Sequence, residues 1–321
     1  MRLLVAPDSF KGTFGAAAVA AAIASGVEEA GAEADRCPVA DGGEGTMEVL
    51  LAALGGERQR AEAHDPLRRP IEAGFALLAD GETAVVETAQ ASGLTLVAPG
   101  ERDAERADTY GTGELIAAAL EAGARTVLVA VGGSASSDGG RGAIEALRAR
   151  GALGEVARTE VLCDVTIPFE DAARLFAPQK GAGPAAVARL EARLEALAAE
   201  LPRDPRGVPM SGCAGGLSGG LWAHGARLRP GAAFVLDAVG FDRRLAAADA
   251  VFSGEGRFDS QSLAGKVVGE IAKRCGVAET PLHLLVGDDA SRDDRPAAIA
   301  SITQAGTLEE LRRQATRLAT P

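Results

Sequence analysis

The sequence predicts an α/β fold in which a doubly wound parallel sheet is interrupted by a second α/β domain. Three observations carry this expectation. Short apolar runs alternate with loop-then-helix segments at the N-terminus, the same alternation returns after about residue 233, and between them the pattern breaks at a hairpin signal, Asp80-Gly81. Residues 2–7 (RLLVAP) read as a buried strand running into a turn from Asp8 to Thr13. Residues 15–30 are alanine-rich and read as a helix closed by Gly31. A second strand is expected to end at Val39-Ala40, and a helix over 46–54 to stop at Gly55-Gly56. The apolar runs 70–78 and 83–88 flank the hairpin turn and open the inserted domain. That domain is read with a helix at 112–122, a strand at 126–131, a helix from about 139 and a strand at 160–163. A long helix at 184–201 carries Leu190, Leu194, Leu197 and Leu201 at helical spacing, with Pro184 in its first turn. Strands at 250–252, 282–286 and 298–303, a helix at 266–275 and a last helix opened by a Thr307–Glu310 capping box complete the chain. Two N-terminal and three C-terminal strands thus make one five-stranded sheet. The expected domains are 1–60 with 231–321, and 61–230.

Composition excludes several function classes. A chain of 321 residues allows one large or two ordinary domains at ~100–200 residues each. A hydrophobic fraction of 47% fills a core and excludes a disordered chain. The net charge of −12 opposes a binder that tracks nucleic-acid phosphates, although a local cluster of donors still suits a small anion. Cys37, Cys163, Cys213 and Cys275 lie far apart without a Cys-x-x-Cys, so no zinc ribbon or redox pair is expected, which fits a cytoplasmic protein. His64, His224 and His283 lack ligand spacing. No apolar run approaches the ~18–20 residues of a membrane span, and the run between Arg2 and Asp8 is too short for a signal peptide.

Glycine and lysine carry the functional signal. The 41 glycines are nearly twice the usual ~7% share, and they gather in polar loops mostly placed just after expected strands. These loops are 6–13 (APDSFKGT), 40–46 (ADGGEGT), 132–140 (GGSASSDGG), 176–182 (FAPQKGA), 211–221 (SGCAGGLSGGL) and 253–266 (SGEGRFDSQSLAGK). Glycine lets backbone N–H groups approach an anion, and a following helix N-terminus adds a favourable dipole. Only four lysines occur, and Lys11, Lys180 and Lys266 sit in these loops while Lys273 sits in an ordinary helix. Arg257 adds a possible bidentate clamp for a carboxylate or phosphate. Asp8, Asp41, Glu44, Asp138, Asp164, Glu255 and Asp259 supply carboxylates in or beside the same loops, as phosphoryl transfer with Mg²⁺ requires. No P-loop or complete Gly-x-Gly-x-x-Gly occurs. One hydrolase-like match, Gly216-Leu217-Ser218-Gly219-Gly220, would need a strand before Ser218, and Ser211-Gly212-Cys213 is a poor strand.

The chain resembles the type I glycerate kinases along nearly its whole length. The resemblance rests on APDSFKGT, ADGGEGT, ETAQASGL (87–94), YGTGELI (110–116), GGSASSDGG, CDVT (163–166), FAPQKGA, CAGGLSGGL and SGEGRFDSQSLAGK, in family order. It implies ATP-dependent phosphorylation of D-glycerate, usually at the 2-hydroxyl, with Mg²⁺. It also implies a Rossmann-like domain interrupted by a second α/β domain, with the site in the cleft. The chain departs from relatives in a short segment before CDVT, in Ile167 where many carry Asn, and in Gly287-Asp288-Asp289 where a glycine-rich turn is usual. A kinase for another small hydroxy acid, a serine hydrolase at Ser218 and a non-catalytic metabolite-binding protein are the alternatives.

With the sheet in the order 2-1-3-4-5, ligands would sit where the order reverses, between the first and third strands. Asp8–Lys11 and Ser253–Arg257 would meet there. The expected catalytic residues are Asp8, Lys11, Asp41, Asp164 and Lys180, with Lys11 and Lys180 neutralising phosphate charge. Ser9, Ser134, Asp138, Arg257, Asp259 and Lys266 are expected at the substrate, with Arg257 or Lys266 on the carboxylate of glycerate. Gly42, Gly43, Gly45, Thr46, Gly254, Glu255 and Gly256 are expected at the nucleotide, and Asp41, Glu44 and Asp164 at the metal or the acceptor hydroxyl.

Overall fold

The computed structural model describes residues 1–259, 262–263, 266–290 and 296–320. It divides into two compact units. The first comprises Met1–Asp41, Glu48–Ala53 and the chain from Ala232 onward, and the second comprises Gly42–Met47 and Leu54–Gly231.

The chain opens with β1 (Arg2–Val5), α1 (Ala16–Glu29), β2 (Glu33–Arg36) and α2 (Thr46–Leu54). The second unit follows with β3 (Gly56–His64), β4 (Pro70–Leu78), β5 (Thr83–Glu87), α3 (Ala89–Ser92), α4 (Tyr110–Glu121), β6 (Thr126–Ala130) and α5 (Arg141–Ala149). It continues through β7 (Thr159–Cys163), α6 (Ala172–Phe176), α7 (Pro184–Glu200), α8 (Leu217–Ala223) and β8 (Arg227–Pro230). The first unit then resumes with α9 (Gly231–Ala238), α10 (Phe241–Leu245), β9 (Ala250–Phe258), α11 (Val267–Val277), β10 (Leu282–Asp289), β11 (Ile299–Gln304) and α12 (Leu308–Ala319).

The first unit's sheet runs β11-β10-β9-β1-β2, all parallel. Numbered within the unit, this is the order 2-1-3-4-5 of a doubly wound fold. Side chains alternate between its faces, as a pleated strand requires. Leu3, Val5, Phe252 and Leu285 pack with Val19, Ile23 and Val27 of α1 and with Leu311 and Ala315 of α12. Leu4, Val251, Leu282, Leu284 and Val286 pack on the other side with Val235, Leu236, Phe241, Val268 and Ile271. Each such aliphatic side chain stabilises the unit by roughly 1.5–3 kcal/mol when fully buried.

The second unit's sheet runs β3-β4-β5-β6-β7-β8, antiparallel through β3, β4 and β5 and parallel from β5 to β8. Val127, Val129 and Val161 face Leu115, Ile116, Leu147, Leu217 and Leu221 in its main core. Asp80 holds the β4–β5 hairpin by accepting from Glu82 N, Thr83 N and Thr83 Oγ1 at 2.9, 2.8 and 2.7 Å, while Gly81 takes the left-handed φ the turn needs.

Several expectations are corrected. β3 is a strand that carries no apolar signal: its sequence is GERQRAEAH, only Ala63 is buried, and as an edge strand it keeps its charges in water. β2 stops at Arg36, before Val39-Ala40, although Cys37 N and Val39 N still donate to Val5 O and Pro7 O. β9 and β10 extend through segments read as loops, since Arg257 pairs with Asp288 and Phe258 with Asp289. The capping box is also modified. Thr307 Oγ1 accepts from Glu310 N at 3.1 Å, but the Glu310 carboxylate takes Gly306 N at 2.8 Å.

Gly26 lies inside α1, where glycine costs about 1 kcal/mol relative to alanine. A Cβ there would overlap the Arg312 carbonyl oxygen and press on Ala315 of α12. Close helix approach therefore outweighs propensity. Gly26→Ala should lose about 1–3 kcal/mol in urea unfolding, the cost of overpacking, whereas propensity alone predicts a gain.

Candidate active site

In the first unit, sheet topology builds a pocket at the carboxyl ends of β1 and β9, where the strand order reverses. Backbone pairing continues past β1, with Ala6 N donating to Phe252 O at 2.7 Å and Asp8 N to Gly254 O at 2.9 Å. Ser253 Oγ closes the seam on Ala6 O at 2.8 Å. Gly254 has no room for a side chain, because a Cβ would overlap the Leu285 carbonyl oxygen. The chain then folds back on itself between Phe10 and Phe14, with Phe10 buried and Gly12 in the left-handed region. This turn carries Lys11 at its tip.

The pocket holds about 290 Å³ and is lined by Asp8, Ser9, Phe10, Lys11, Thr13, Asp41, Glu255, Gly256, Arg257, Lys266, Gly287 and Gly306. It therefore gathers Asp8, Ser9, Lys11, Asp41, Glu255, Gly256, Arg257 and Lys266 of the sequence-derived candidates. Lys11 Nζ lies 3.0 Å from Asp41 Oδ2, and the lysine side chain is half exposed while the aspartate is buried. Arg257 is mostly exposed, with Nε 3.7 Å from Asp259 and 3.8 Å from Asp288, too far for a hydrogen bond. Asp259 thus flanks Arg257, and Gly254 lies one residue before the pocket wall.

Burial and crowding shape the acids. Asp8 is pushed up to about 8 by burial and by the neighbouring Asp41, against the opposing pull of Lys11. Burial pushes Glu255 up to about 7, with the Asp41 charge adding to it and Ser262, Lys266 and Lys11 opposing. Glu255 Oε1 has no hydrogen-bond partner among the described residues. Buried carboxylates of raised pKa beside several cations form an arrangement fit to receive phosphate oxygens and a hard cation.

The second unit holds the remaining candidates. Gly42, Gly43, Glu44, Gly45 and Thr46 lead into α2, and the N–H groups of Gly45, Thr46 and Met47 are already used. Glu87 Oε1 accepts from Gly45 N at 2.9 Å and from Met47 N at 2.8 Å, and Thr46 N donates to Gly43 O. A protein carboxylate therefore occupies the place expected for a nucleotide phosphate at this helix start. Burial raises the pKa of Glu87 while these backbone donors favour its charged form. Sequence reasoning did not single out Glu87; its place at the end of a parallel strand was the available signal.

Asp138 is likewise committed to structure. Its carboxylate accepts from Thr109 N, Thr109 Oγ1, Gly140 N and Gly142 N at 3.0, 2.8, 3.2 and 2.9 Å, anchoring the start of α5. Lys180 is buried in a short turn, with Nζ 3.0 Å from Ser134 Oγ and also bonded to Ser136 O. Asp164 follows β7 and acts on Lys180 through space. Of the acids expected at a metal, Asp41 lies in the first unit and Glu44 and Asp164 in the second. Among the described residues, no group of three or more His, Cys, Asp and Glu is arranged to hold a metal ion.

Ser218 is not a nucleophile elbow. It lies on α8, is fully buried, and its hydroxyl donates to Met210 O at 2.7 Å and Cys213 O at 3.3 Å. The helix leaves no strand-to-helix turn to expose Oγ.

Two measurements follow from these electrostatics. A carboxyl raised on folding stabilises fully below its unfolded pKa and loses that contribution as pH rises through the folded value. For Asp8 the window runs from about 4, the free value, to about 8. Asp8→Asn should therefore exceed the wild type in stability on the order of 1–3 kcal/mol near pH 8.5 and lose this advantage near pH 5. Melting curves at both pH values check it, and a gap independent of pH refutes it. Separately, Glu87→Ala strands Gly45 N and Met47 N and should cost about 1–3 kcal/mol in urea unfolding, with Glu87→Gln costing less because an acceptor remains.

Comparison with known proteins identifies the family. The model of the glycerate kinase family matches residues 3–155 and 150–320. The chain is 36% identical to the glycerate 2-kinase of Escherichia coli K12, covering 97% of this chain and 93% of that protein. It is 38% identical to the glycerate kinase of Bacillus subtilis 168, covering 91% and 86%. A crystal structure from Salmonella typhimurium LT2, assigned as glycerate kinase 2, superposes with a TM-score of 0.82 at 33% identity, covering 99% of this chain and 97% of that one. No helix among the described residues is long and apolar enough to cross a membrane. With its doubly wound sheet and full-length matches, the chain is an enzyme that belongs to the glycerate kinase family.

Proposed function

We propose that the chain is an ATP-dependent kinase that phosphorylates D-glycerate at the 2-hydroxyl, giving 2-phosphoglycerate and ADP. The observation that carries this reading is the pocket at the β1–β9 switch point, where Lys11, Arg257 and Lys266 line the same walls as Asp8, Asp41 and Glu255. Phosphoryl transfer asks mainly for positioning and for charge placed around the moving group. Lys11 and Lys266 meet phosphate oxygens, and Arg257 supplies a planar fork for a phosphate or carboxylate. The acceptor hydroxyl oxygen forms the new bond to the γ-phosphorus as the bond to ADP breaks. Its proton passes to the Asp8 and Glu255 carboxyl pair, whose raised pKa values match proton transfer near neutral pH.

Mg²⁺ suits the same walls, because this ion takes one or two carboxylates together with substrate phosphates. Asp41 is the residue that would hold it, together with the substrate phosphates. When bound, it would neutralise charge on the transferring phosphates. The name glycerate 2-kinase in the Escherichia coli relative supports the 2-hydroxyl as acceptor. Four buried free thiols and a net charge of −12 fit a cytoplasmic enzyme of small metabolites with no nucleic-acid partner.

The direct test is ADP release with D-glycerate, L-glycerate and related hydroxy acids, with and without Mg²⁺, followed by phosphorus NMR of the product. Absence of turnover with D-glycerate under every condition overturns the reading, and 3-phosphoglycerate as product overturns the regiochemistry. Lys11→Ala should lower kcat/KM by about 10²-fold or more, because a preorganised charge on the transition state is removed. Near-normal turnover would take Lys11 out of the mechanism.

A further inference from the structure

We infer that Ser262 is a positioning residue for the phosphoryl transfer: it holds one oxygen of the Glu255 carboxylate, so that the other oxygen takes the proton of the acceptor hydroxyl. The inference rests on the glycerate kinase reading above and lies wholly within the first unit.

The first ground is how Ser262 is held. It is fully buried and lies behind the residues that line the pocket. Its Oγ accepts from Asp259 N at 3.1 Å. Its backbone is fixed on both sides, with Ser262 N donating to Asp259 O at 3.0 Å and Ser262 O accepting from Gly269 N of α11 at 3.1 Å. Gly269 leaves no slack there, because a Cβ would press on the carbonyl oxygens of Ser262 and Leu263. With a backbone donor on its oxygen, the hydroxyl has one proton to give. Arg257 O lies at 3.4 Å, beyond the usual O–H···O range. The Glu255 side chain is the other acceptor, and a charged acceptor makes the stronger bond.

The second ground is the state of Glu255. The residue is 7% exposed and lines the pocket from β9. Its Oε1 is buried and has no hydrogen-bond partner among the described residues. Buried polar atoms are nearly always satisfied, so an open carboxylate oxygen in a pocket wall marks a place for a donor. The acceptor hydroxyl is such a donor.

The surroundings explain why a neutral anchor is needed. Asp8 and Lys11 face Glu255 from the turn after β1, Asp41 from the segment after β2 and Lys266 from just ahead of α11, with Arg257 on its own strand. Phosphates entering the pocket would draw the lysines to themselves. A hydroxyl tied to backbone is not drawn away, so it keeps the carboxylate aimed, and it favours the ionised form against burial. As the acceptor oxygen bonds to the γ-phosphorus, its proton passes to Glu255 Oε1, and ADP leaves with the electrons of the broken P–O bond.

Kinetics of the full chain test this. Ser262→Ala should lower kcat with D-glycerate about 10-fold or more, with KM for D-glycerate and for ATP within about threefold, because an interaction needed mainly in the transition state is lost. Loss of a donor that favours the charged carboxylate should also move the acid limb of the kcat profile to higher pH, by about half a pH unit or more. In a Glu255→Gln background the same substitution should change kcat by less than about twofold. Ser262→Cys, similar in size but a weak donor, serves as the test if Ser262→Ala fails to fold, with the same limb shift and a smaller fall in kcat. An unmoved acid limb, or an equal loss of kcat with and without the Glu255 carboxylate, overturns the proposal. If the wild type does not phosphorylate D-glycerate, the kinase reading fails on its own. Carbon-13 NMR titration of the Glu255 carboxyl then decides the hold on Glu255: a higher midpoint in Ser262→Ala supports it, and an equal midpoint overturns it.

Discussion

The pairing of β1 with β9 is the constraint on which the first unit depends. Leu3, Leu4 and Val5 stand opposite Ala250, Val251 and Phe252, so two strands almost 250 positions apart share one ladder. That ladder reverses the strand order and leaves a crevice at its carboxyl end. Slipping the register by one residue would move Leu3 and Val5 into the place of Leu4, exchanging the two cores. It would also separate Asp8 N from Gly254 O and Ser253 Oγ from Ala6 O, and with them the acids and the lysine of the pocket. Because the pairing closes a loop of most of the chain, it depends on apolar contacts of very long sequence separation.

Against this rigid frame the two units treat buried charge in different ways. In the first, acids are brought close enough to repel, and burial raises Asp8 and Glu255 toward neutral pH. In the second, Glu87 and Asp138 are buried acids whose oxygens are filled by backbone and hydroxyl donors, so they hold loops in place. Lys180 differs from both, buried and bonded only to neutral oxygens. Satisfied buried charges build structure, whereas unsatisfied ones store a cost that a ligand can relieve. The contrast separates scaffold residues from residues available for chemistry in a way residue type alone cannot.

Much of the fold was legible because its strands are apolar and its turns carry strong signals. RLLVAP, TVLVAV and LHLLV each fill a central strand, and Asp80-Gly81 makes the hairpin turn it announced. What escaped notice lacks an apolar pattern. β3 stays wet on an edge, β2 is written EADR, and α8 contains glycines that pack against Phe169 and the Ser211 carbonyl. The end of β9 read as a glycine-rich loop because its backbone pairs with β10 through Gly254 and Gly287, where a Cβ would overlap a carbonyl oxygen of the neighbouring strand.

By itself the sequence pointed to an interrupted doubly wound sheet, the family and the set of charged loops, because local apolar periodicity and short motifs are properties of neighbouring residues, while the strand order was supposed from likeness to other doubly wound folds. The expected strand order already brought Asp8–Lys11 to Ser253–Arg257, whereas tertiary structure decided that Asp41 and Lys266 line the same pocket and that Glu87 and Asp138 are spent on the scaffold. Lys11, Asp41 and Glu255 converge only through strand order, and Glu87 meets Gly45 and Met47 across forty positions. The loop glycines looked like anion cradles because free N–H groups were assumed. Where those N–H groups point, and whether a protein oxygen already fills them, is fixed by long-range packing that no local pattern encodes.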